Sequence, residues 1–280
     1  MSTEVITPKT LAGLRVTPVQ ERSPYLNILV YADSGTGKTT LAGSASEVEA
    51  MYPVLVVDIE GGTESLRHTY PNVDVVRVRT WNEMQQLYDT LHAGDHPYKT
   101  VVLDSLTEIQ KFSMYQIMED LLKNNPDRDP DIPSMREWGK NIEQIRRFVR
   151  AFRDLDMHTI FTALVRIDKN TRTGLETRKP MLSGKLADEV AAFLDIVVYY
   201  YTKEVFKEGA DESDTLRLML TRKTEDTVAK DRSGNLPMIV EEPTMSTLFG
   251  LMYPTEAPAT VGASVSDDEL ATLTTAKDKR

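Results

Sequence analysis

The sequence has no cysteine among its 280 residues and only four histidines. The lack of cysteine excludes disulfides, thiolate metal sites and cysteine nucleophiles, and it fits a reducing compartment, so we expect a cytoplasmic protein. The four histidines, His68, His92, His96 and His158, lack the spacing of metal ligands. No stretch approaches the roughly 20 apolar residues of a membrane span, so we expect no membrane partner.

Positive charge is also scarce. The chain has 33 basic and 43 acidic residues, which leaves a net charge of −10. This balance argues against capture of nucleic acid by the whole surface, but it permits a local basic segment. Apolar residues make up 40% of the chain, which is enough for a packed core.

The sequence is organised around the stretch Asn27-Ile-Leu-Val-Tyr-Ala-Asp-Ser-Gly-Thr-Gly-Lys-Thr-Thr40. An apolar, β-branched run ends in a glycine-containing loop, and a helix can begin directly afterwards. This order is typical of a phosphate loop, in which backbone N–H groups surround the phosphates of a nucleotide. The pattern predicts that ATP is bound by Asp33, Ser34, Gly35, Thr36, Gly37, Lys38, Thr39 and Thr40.

Within this loop, Lys38 is expected to neutralise the β- and γ-phosphate oxygens, and the Thr39 hydroxyl to ligate Mg²⁺. Ala32 stands where the pattern usually has its first glycine. Alanine can replace glycine there if the backbone φ angle is negative.

The rest of the chain alternates apolar strands with amphipathic helices, which predicts an α/β fold with a mostly parallel central sheet flanked by helices. Strands are predicted at 26–32, 53–60, 73–78, 99–104, 158–165, 195–201 and 215–221. Helices are predicted at 38–50, 81–93, 106–123, 134–155 and 186–193. We expect a flexible arm at 1–24, an ATPase core at 25–252 and a disordered tail at 253–280.

Three functional side chains follow the ends of predicted strands: Lys38, Glu60 and Asp104. Ligands of parallel sheets bind at the carboxyl ends of the strands, so these side chains are expected to meet at one edge. Asp104 is the candidate for the second Mg²⁺ ligand, and Glu60 for the base that polarises the attacking water. The alternative for Glu60 is a carboxylate that caps the following turn.

Val56-Val-Asp-Ile-Glu60-Gly-Gly resembles the strand that carries the catalytic glutamate of RecA-type recombinases. Val101-Val-Leu-Asp104-Ser105 is similar to their Walker B strand. Over residues 25–250 the chain resembles the phage group of minimal RecA-core single-strand annealing ATPases, the Sak-four type. The resemblance implies a RecA-like P-loop core, ATP with Mg²⁺, single-stranded DNA as partner, and a homo-oligomeric ring or filament in the host cytoplasm.

The sequence departs from this family at the end of the fifth strand. RecA-type proteins usually carry a polar pair there, whose glutamine senses the γ-phosphate, whereas this chain has Ala163-Leu164. Leucine cannot hydrogen-bond a phosphate. Either Thr162 substitutes for the glutamine or coupling to DNA runs differently.

A basic segment follows that strand, and the resemblance implies that it lines a DNA channel. The candidate DNA-binding residues are Arg166, Lys169, Arg172, Arg178, Lys179 and Lys185. Gly174, Pro180 and Gly184 predict a mobile loop, and the alternative is a solvated surface loop. It contains no aromatic residue for base stacking. Tyr199 to Tyr201 are expected mainly in the core, with Tyr200 on the opposite strand face.

Two further basic residues, Lys230 and Arg232, lie in the motif Ala229-Lys-Asp-Arg-Ser-Gly234. The resemblance implies a catalytic role, in which they reach the γ-phosphate held by the next subunit; the alternative is ordinary loop charge. A single-strand binding protein is a candidate partner of the tail.

Two other functions remain open from the sequence. One is a nucleotide-gated loader or adaptor with little hydrolysis. The other is a P-loop phosphotransferase, in which the 166–185 segment would act as a lid.

Overall fold

Buried strands flanked by helices make up most of the computed structural model, which describes residues 9–16, 18, 25–169, 171, 174–206 and 213–254. The strands are β1 Lys9–Leu11, β2 Leu14–Val16, β3 Asn27–Ala32, β4 Val54–Asp58, β5 Asp74–Arg77, β6 Thr100–Asp104, β7 His158–Lys169, β8 Glu176–Pro180, β9 Ile196–Phe206, β10 Ser213–Leu220, β11 Lys230–Asp231 and β12 Ile239–Glu241. The helices are α1 Lys38–Gly43, α2 Leu66–Thr69, α3 Trp81–Ala93, α4 Leu106–Asn124, α5 Met135–Arg153, α6 Leu186–Phe193 and α7 Met245–Met252.

The central sheet has the strand order β12-β10-β9-β3-β7-β6-β4-β5. The strands from β9 to β5 in this order pair in parallel, and β10 and β12 add antiparallel pairings at one side. Two short strands lie off this path: β8 pairs antiparallel with β7, and β11 with β9. The predicted α/β fold with a mostly parallel sheet is confirmed.

Each face of the sheet has its own apolar core, because successive side chains of a strand point to opposite faces. In β3, Leu29 and Tyr31 face the cluster formed with α3, α4, α5 and α6. Ile28 and Val30 face the second cluster, which includes residues of α1 and α7. All residues of β3, β4 and β6 are buried, as expected for strands covered on both faces.

Local sequence signals mark both ends of α3 and the start of α5. Thr80 and Glu83 form a capping box at the start of α3, and Gly94, with φ 76°, ends that helix. Ser134 and Glu137 form a second capping box at the start of α5. The predicted bounds of α3 and α6 are therefore confirmed, and α4 and α5 differ by one or two residues.

Two buried polar side chains, Asn141 and His158, have hydrogen-bond partners inside the fold. Asn141 of α5 is fully buried and donates to the Gln110 carbonyl and to Ser113 Oγ, each at 2.9 Å. The Gln110 side chain donates back to Asn141 at 2.8 Å. His158 is also buried, and its Nδ1 accepts from the Leu26 amide at 3.0 Å. Burial lowers the pKa of His158 from 6.5 to about 4.

Two predictions about local structure were wrong. The segment after Val165 is a β-hairpin, because β7 continues to Lys169 and pairs with β8 in the register Arg166↔Lys179. Apolar and polar residues alternate at the end of β7, from Val165 to Asp168, and ion pairs of Lys169 with Glu176 and of Lys179 with Asp168 join it to the polar strand β8. The helix predicted at 38–50 ends at Gly43 and continues as a 3₁₀ turn, Ser44–Glu47. A further helix, α7, begins after Thr244, which caps it, and lies outside the predicted helices.

The termini are described only in part. In the expected flexible arm at 1–24, residues 9–16 form a hairpin whose turn residues Ala12 and Gly13 have φ 52° and 79°. The rest of the arm, except residue 18, lies outside the described residues, as does the expected disordered tail beyond residue 254. Where the chain is described, no helix has the length and apolar character needed to cross a bilayer.

Candidate nucleotide-binding site

The loop between β3 and α1 has the backbone geometry that its sequence requires. Gly35 and Gly37 have φ 77° and 102°, values that favour glycine over any residue with a Cβ. Ala32 ends β3 as an ordinary strand residue and is absent from the positive-φ positions, so alanine is compatible with the first position of the motif. Thr36 Oγ1 donates to the Asp33 carbonyl at 2.9 Å and closes the turn.

Lys38 lies under this loop and is only 7% exposed. Its Nζ donates to the Asp33 carbonyl at 2.8 Å and to the Ala32 carbonyl at 3.4 Å. Burial lowers the pKa of Lys38, and the carboxylates of Asp104, Glu60 and Asp33 act in the opposite direction. The ammonium group is therefore held by two main-chain carbonyls at the start of the loop, and three acids favour its charged form.

Thr39 and Asp104 meet directly. Thr39 Oγ1 donates to Asp104 Oδ2 at 2.6 Å, and Asp104 is 3% exposed. The other carboxylate oxygen of Asp104 accepts from the Thr162 hydroxyl. Thr162 thus belongs to this group, whereas the Leu164 amide is bonded to the Thr107 hydroxyl at 3.1 Å.

Glu60 is exposed and follows β4 in a turn that neighbouring groups hold tightly. The Ser105 hydroxyl donates to Glu60 Oε1. Asp58 accepts from the amides of Gly61 and Gly62 at 2.7 and 3.2 Å. The Ile59 amide donates to the Asp104 carbonyl at 3.1 Å. The turn therefore fixes Glu60 beside the strand that carries Asp104.

The turn after Glu60 also approaches the phosphate loop. A Cβ at Gly62 would lie 4.0 Å from Thr39 Oγ1, and a Cβ at Gly61 would lie 3.1 Å from Arg77 Nη2. Gly61 has φ 81°. Gly62 thus lies beside Thr39, and Lys38, Thr39, Glu60 and Asp104 converge at one edge of the sheet, as the strand-end rule predicts.

These residues fit Mg²⁺ and a nucleoside triphosphate. The described part of the chain has no cluster of three or more His, Cys, Asp or Glu side chains arranged to hold a metal. Mg²⁺ does not need one, because it is usually held by one or two protein oxygens together with substrate phosphates and water. The Thr39 hydroxyl and the Asp104 carboxylate, 2.6 Å apart, are such a pair.

Most of the candidate DNA-binding residues lie on the β7–β8 hairpin and pair with acids. Arg166 contacts Asp168, Lys169 contacts Glu176 at 3.5 Å, Arg178 contacts Asp226 at 2.8 Å, and Lys179 lies 3.6 Å from Asp168. Lys185 is exposed at the start of α6. Arg172 lies outside the described residues.

Lys230 and Arg232 lie at the opposite edge of the sheet from Lys38. Lys230 is paired with Val197 near the start of β9, and β9 runs parallel to β3. Lys230 Nζ donates to the carbonyls of Ala191, Ala192 and Leu194 at 2.7 to 3.1 Å, and Arg232 pairs with Asp195 at 2.7 Å. Neither side chain approaches the phosphate loop of its own chain, so the predicted role in a neighbouring subunit stays a prediction.

Sequence reasoning missed two residues of the site. Asp58 stands opposite Asp104 in the β4–β6 register, and its position within an apolar run could have indicated its role in the turn. Arg217 of β10 approaches the loop from a distant part of the chain. A Cβ at Gly37 would lie 3.6 Å from Arg217 Nε. No local motif marks Arg217.

The fold and this site together define a P-loop nucleoside triphosphatase. Residues 25–233 match the family described as AAA domain, and because this match covers most of the chain, the protein belongs to that family. No curated protein matches the sequence. A solved ATPase from the type III secretion system of pathogenic bacteria aligns at 16% identity with a TM-score of 0.39, over 62% of this chain and 50% of that chain. That distant likeness carries no argument about activity.

Proposed function

We propose that this protein hydrolyses ATP with Mg²⁺ and couples hydrolysis to single-stranded DNA, as a phage-type recombination or annealing protein of the cytoplasm. The observation that carries the ATPase part is the contact between Thr39 and Asp104, 2.6 Å apart beneath the phosphate loop. A hydroxyl and a carboxylate in this position are the protein ligands of Mg²⁺ in P-loop enzymes.

In this proposal, the chain's own residues divide the work. The loop amides and Lys38 bind the phosphates, and Thr39 and Asp104 hold Mg²⁺, which when bound neutralises the charge that develops on the phosphate oxygens. Glu60 orients the attacking water and accepts its proton at a carboxylate oxygen. Ser105 keeps that carboxylate in place through its hydrogen bond to Oε1.

The DNA part rests on the position of the β7–β8 hairpin and on the family resemblance. The hairpin extends β7 beyond the carboxyl edge of the sheet, on the same edge as the phosphate loop. Lys185 at the start of α6 supplies positive charge for single-stranded DNA, and so does Lys169, because its contact with Glu176 is long, at 3.5 Å, and solvent-exposed, and is therefore weak. Arg166, Arg178 and Lys179 contribute less, because acids already compensate them.

Assembly into a homo-oligomeric ring or filament completes the proposal. Lys230 and Arg232 lie too far from the phosphate loop of their own chain to act in cis. A second copy would bring them to the nucleotide, at the expense of their contacts with the end of α6 and Asp195. The tail beyond residue 254 is the proposed contact for a single-strand binding protein.

A nucleotide-gated loader or adaptor is the second candidate. Two observations favour it: Leu164 occupies the position expected for a polar γ-phosphate sensor, and most hairpin cations are paired with acids. A loader would bind ATP tightly and turn it over slowly, with or without DNA.

One experiment separates these candidates: ATP turnover measured with and without single-stranded DNA, with particle size followed in the same samples. DNA stimulation together with assembly supports the recombination protein, and tight ATP binding without turnover supports the loader. Thr39→Val removes only the hydroxyl, and we expect it to raise the Mg²⁺ concentration required for half-maximal turnover by at least about tenfold. Thr90→Val on α3 is the matched control, and an unchanged Mg²⁺ requirement in Thr39→Val contradicts the proposed ligand.

A further inference from the structure

Two tyrosines of β9 stack on each other beside the phosphate loop. The rings of Tyr199 and Tyr201 lie 5.3 Å apart, with an angle of 12° between their planes. Both are half-buried, whereas Tyr200 points to the other face and is 3% exposed. The strand alternation that sends Tyr200 into the core therefore leaves its two neighbours as an open aromatic surface.

A cavity of about 290 Å³ separates this pair from the loop. Its walls are Tyr199, Tyr201 and Thr202 on one side and the loop residues Asp33 to Thr36 on the other. Neither Lys38 nor Thr39 lines it. The cavity thus borders the first half of the phosphate loop on the side of β9, and it does not reach the lysine or the Mg²⁺ ligand.

Positive charge flanks the aromatic pair at both ends. Burial raises the pKa of Tyr199, and the nearby Arg178 guanidinium, which also pairs with Asp226 at 2.8 Å, acts in the opposite direction. Lys203 follows Tyr201 by two residues and therefore lies on the same face of β9. Lys203 is exposed and has no ion-pair partner among the residues that the structure describes. On the neighbouring strand β10, Leu216 is paired with Lys203 and Leu218 with Tyr201. These leucines make the surroundings of the aromatic pair apolar.

We propose that Tyr199, Tyr201 and Lys203 form a stacking site for the bases of single-stranded DNA. This inference rests on the proposed function and extends it to residues outside the basic hairpin. An aromatic platform bordered by cations is the arrangement that binds single strands without sequence preference, because every base presents a π-face and every nucleotide a phosphate. A base in the cavity touches Asp33 to Thr36, so the site places DNA against the loop that binds the nucleotide.

The test compares an oligothymidine with an abasic strand of the same length, whose phosphates are retained but whose bases are absent. Affinity is measured by fluorescence anisotropy at one salt concentration. We expect Tyr201→Ala to weaken oligothymidine binding about 5- to 150-fold, the range for loss of one stacked base. The same change should leave the weaker binding of the abasic strand unaltered. Tyr201→Phe keeps the ring and should bind like the wild type.

The control is Tyr115→Ala, which removes a 60% exposed tyrosine from α4, away from the platform. Thermal melting of each variant shows whether it is folded, and Tyr201→Leu is the alternative if Tyr201→Ala does not fold. If the wild type binds neither strand, both the DNA function and this site are overturned. If Tyr201→Ala and Tyr201→Leu prefer oligothymidine over the abasic strand as strongly as the wild type does, only the stacking site is overturned. If a Tyr201 variant changes the particle size but keeps the preference for oligothymidine, the aromatic pair contacts a second copy of the chain, and the proposal is overturned.

Discussion

Replacing Glu60 by Gln tests the chemistry of the site most directly. The amide has nearly the same shape as the carboxylate, and its oxygen can still accept the Ser105 hydrogen bond. The negative charge and the ability to take a proton are lost. The substitution therefore changes the chemistry while leaving the turn built by Asp58, Gly61 and Gly62 in place.

The expected effect follows from the role of a general base, which contributes about 10²- to 10⁴-fold to a rate. Each tenfold step corresponds to about 1.4 kcal/mol, so the barrier should rise by about 3 to 5 kcal/mol. ATP binding should not weaken, because the Glu60 carboxylate is one of the acids that act on Lys38, and its removal leaves less negative charge near the phosphates.

The assay is phosphate release under saturating ATP and Mg²⁺, with affinity measured separately by a fluorescent nucleotide. Glu64→Gln is the matched control, because Glu64 lies in the next turn, is 73% exposed and forms an exposed ion pair with Arg67 at 3.1 Å. Ser105→Ala should lower turnover less than Glu60→Gln, since it frees the carboxylate without removing it. Unchanged turnover in Glu60→Gln would refute the assignment and leave Glu60 as a turn residue.

Three other predictions concern charge and stability. Lys169→Glu should weaken binding of single-stranded DNA and reduce the slope of log affinity against log salt concentration by about 0.7. The control Lys123→Glu, at the far end of α4, should change neither quantity. Equal slopes for wild type and Lys169→Glu would show that the hairpin is not part of the DNA interface. Folding lowers the pKa of His158 from 6.5 to about 4, so the folded state favours the neutral imidazole. The contribution of His158 to the free energy of unfolding is therefore complete above pH 6.5 and is lost as the pH falls toward 4. Urea unfolding should show a loss of about 2 kcal/mol between pH 7 and pH 5, and His158→Asn, which keeps an acceptor, should lose less; parallel pH curves would contradict this. Asn141→Leu removes the acceptor of Gln110 Nε2 and a donor to the Gln110 carbonyl. The free energy of unfolding should fall by about 2 to 4 kcal/mol. An unchanged free energy of unfolding would contradict this prediction.

Much of the fold could be predicted because its signals are local. The apolar runs of β3, β4 and β6 are buried on both faces, so they contain few polar residues to confuse the pattern. Capping boxes at Thr80 and Ser134 mark where α3 and α5 begin. The convergence of Lys38, Glu60 and Asp104 also followed from the sequence, because parallel strands deliver their ends to one edge.

The β7–β8 hairpin could not be recognised as easily. Its glycines and proline are typical of loops. The pairing that makes it a hairpin joins residues up to 15 positions apart, from Val165 with Pro180 at the base to closer pairs toward the turn. The ion pair from Arg178 to Asp226 spans a still longer separation. A count of basic residues cannot show that acids elsewhere in the chain compensate them.

The sequence by itself determined the chemistry: a glycine loop with its lysine and threonine, and two acids at strand ends, because these depend on residue type and on the order of strands and helices. Only the tertiary structure decided which groups meet. Strand order in the sheet brings Thr162 to Asp104, Ser105 to Glu60 and Arg217 to the phosphate loop. The same order keeps Lys230 away from that loop. That order follows from how two apolar faces are buried together, a property of the whole chain rather than of any segment.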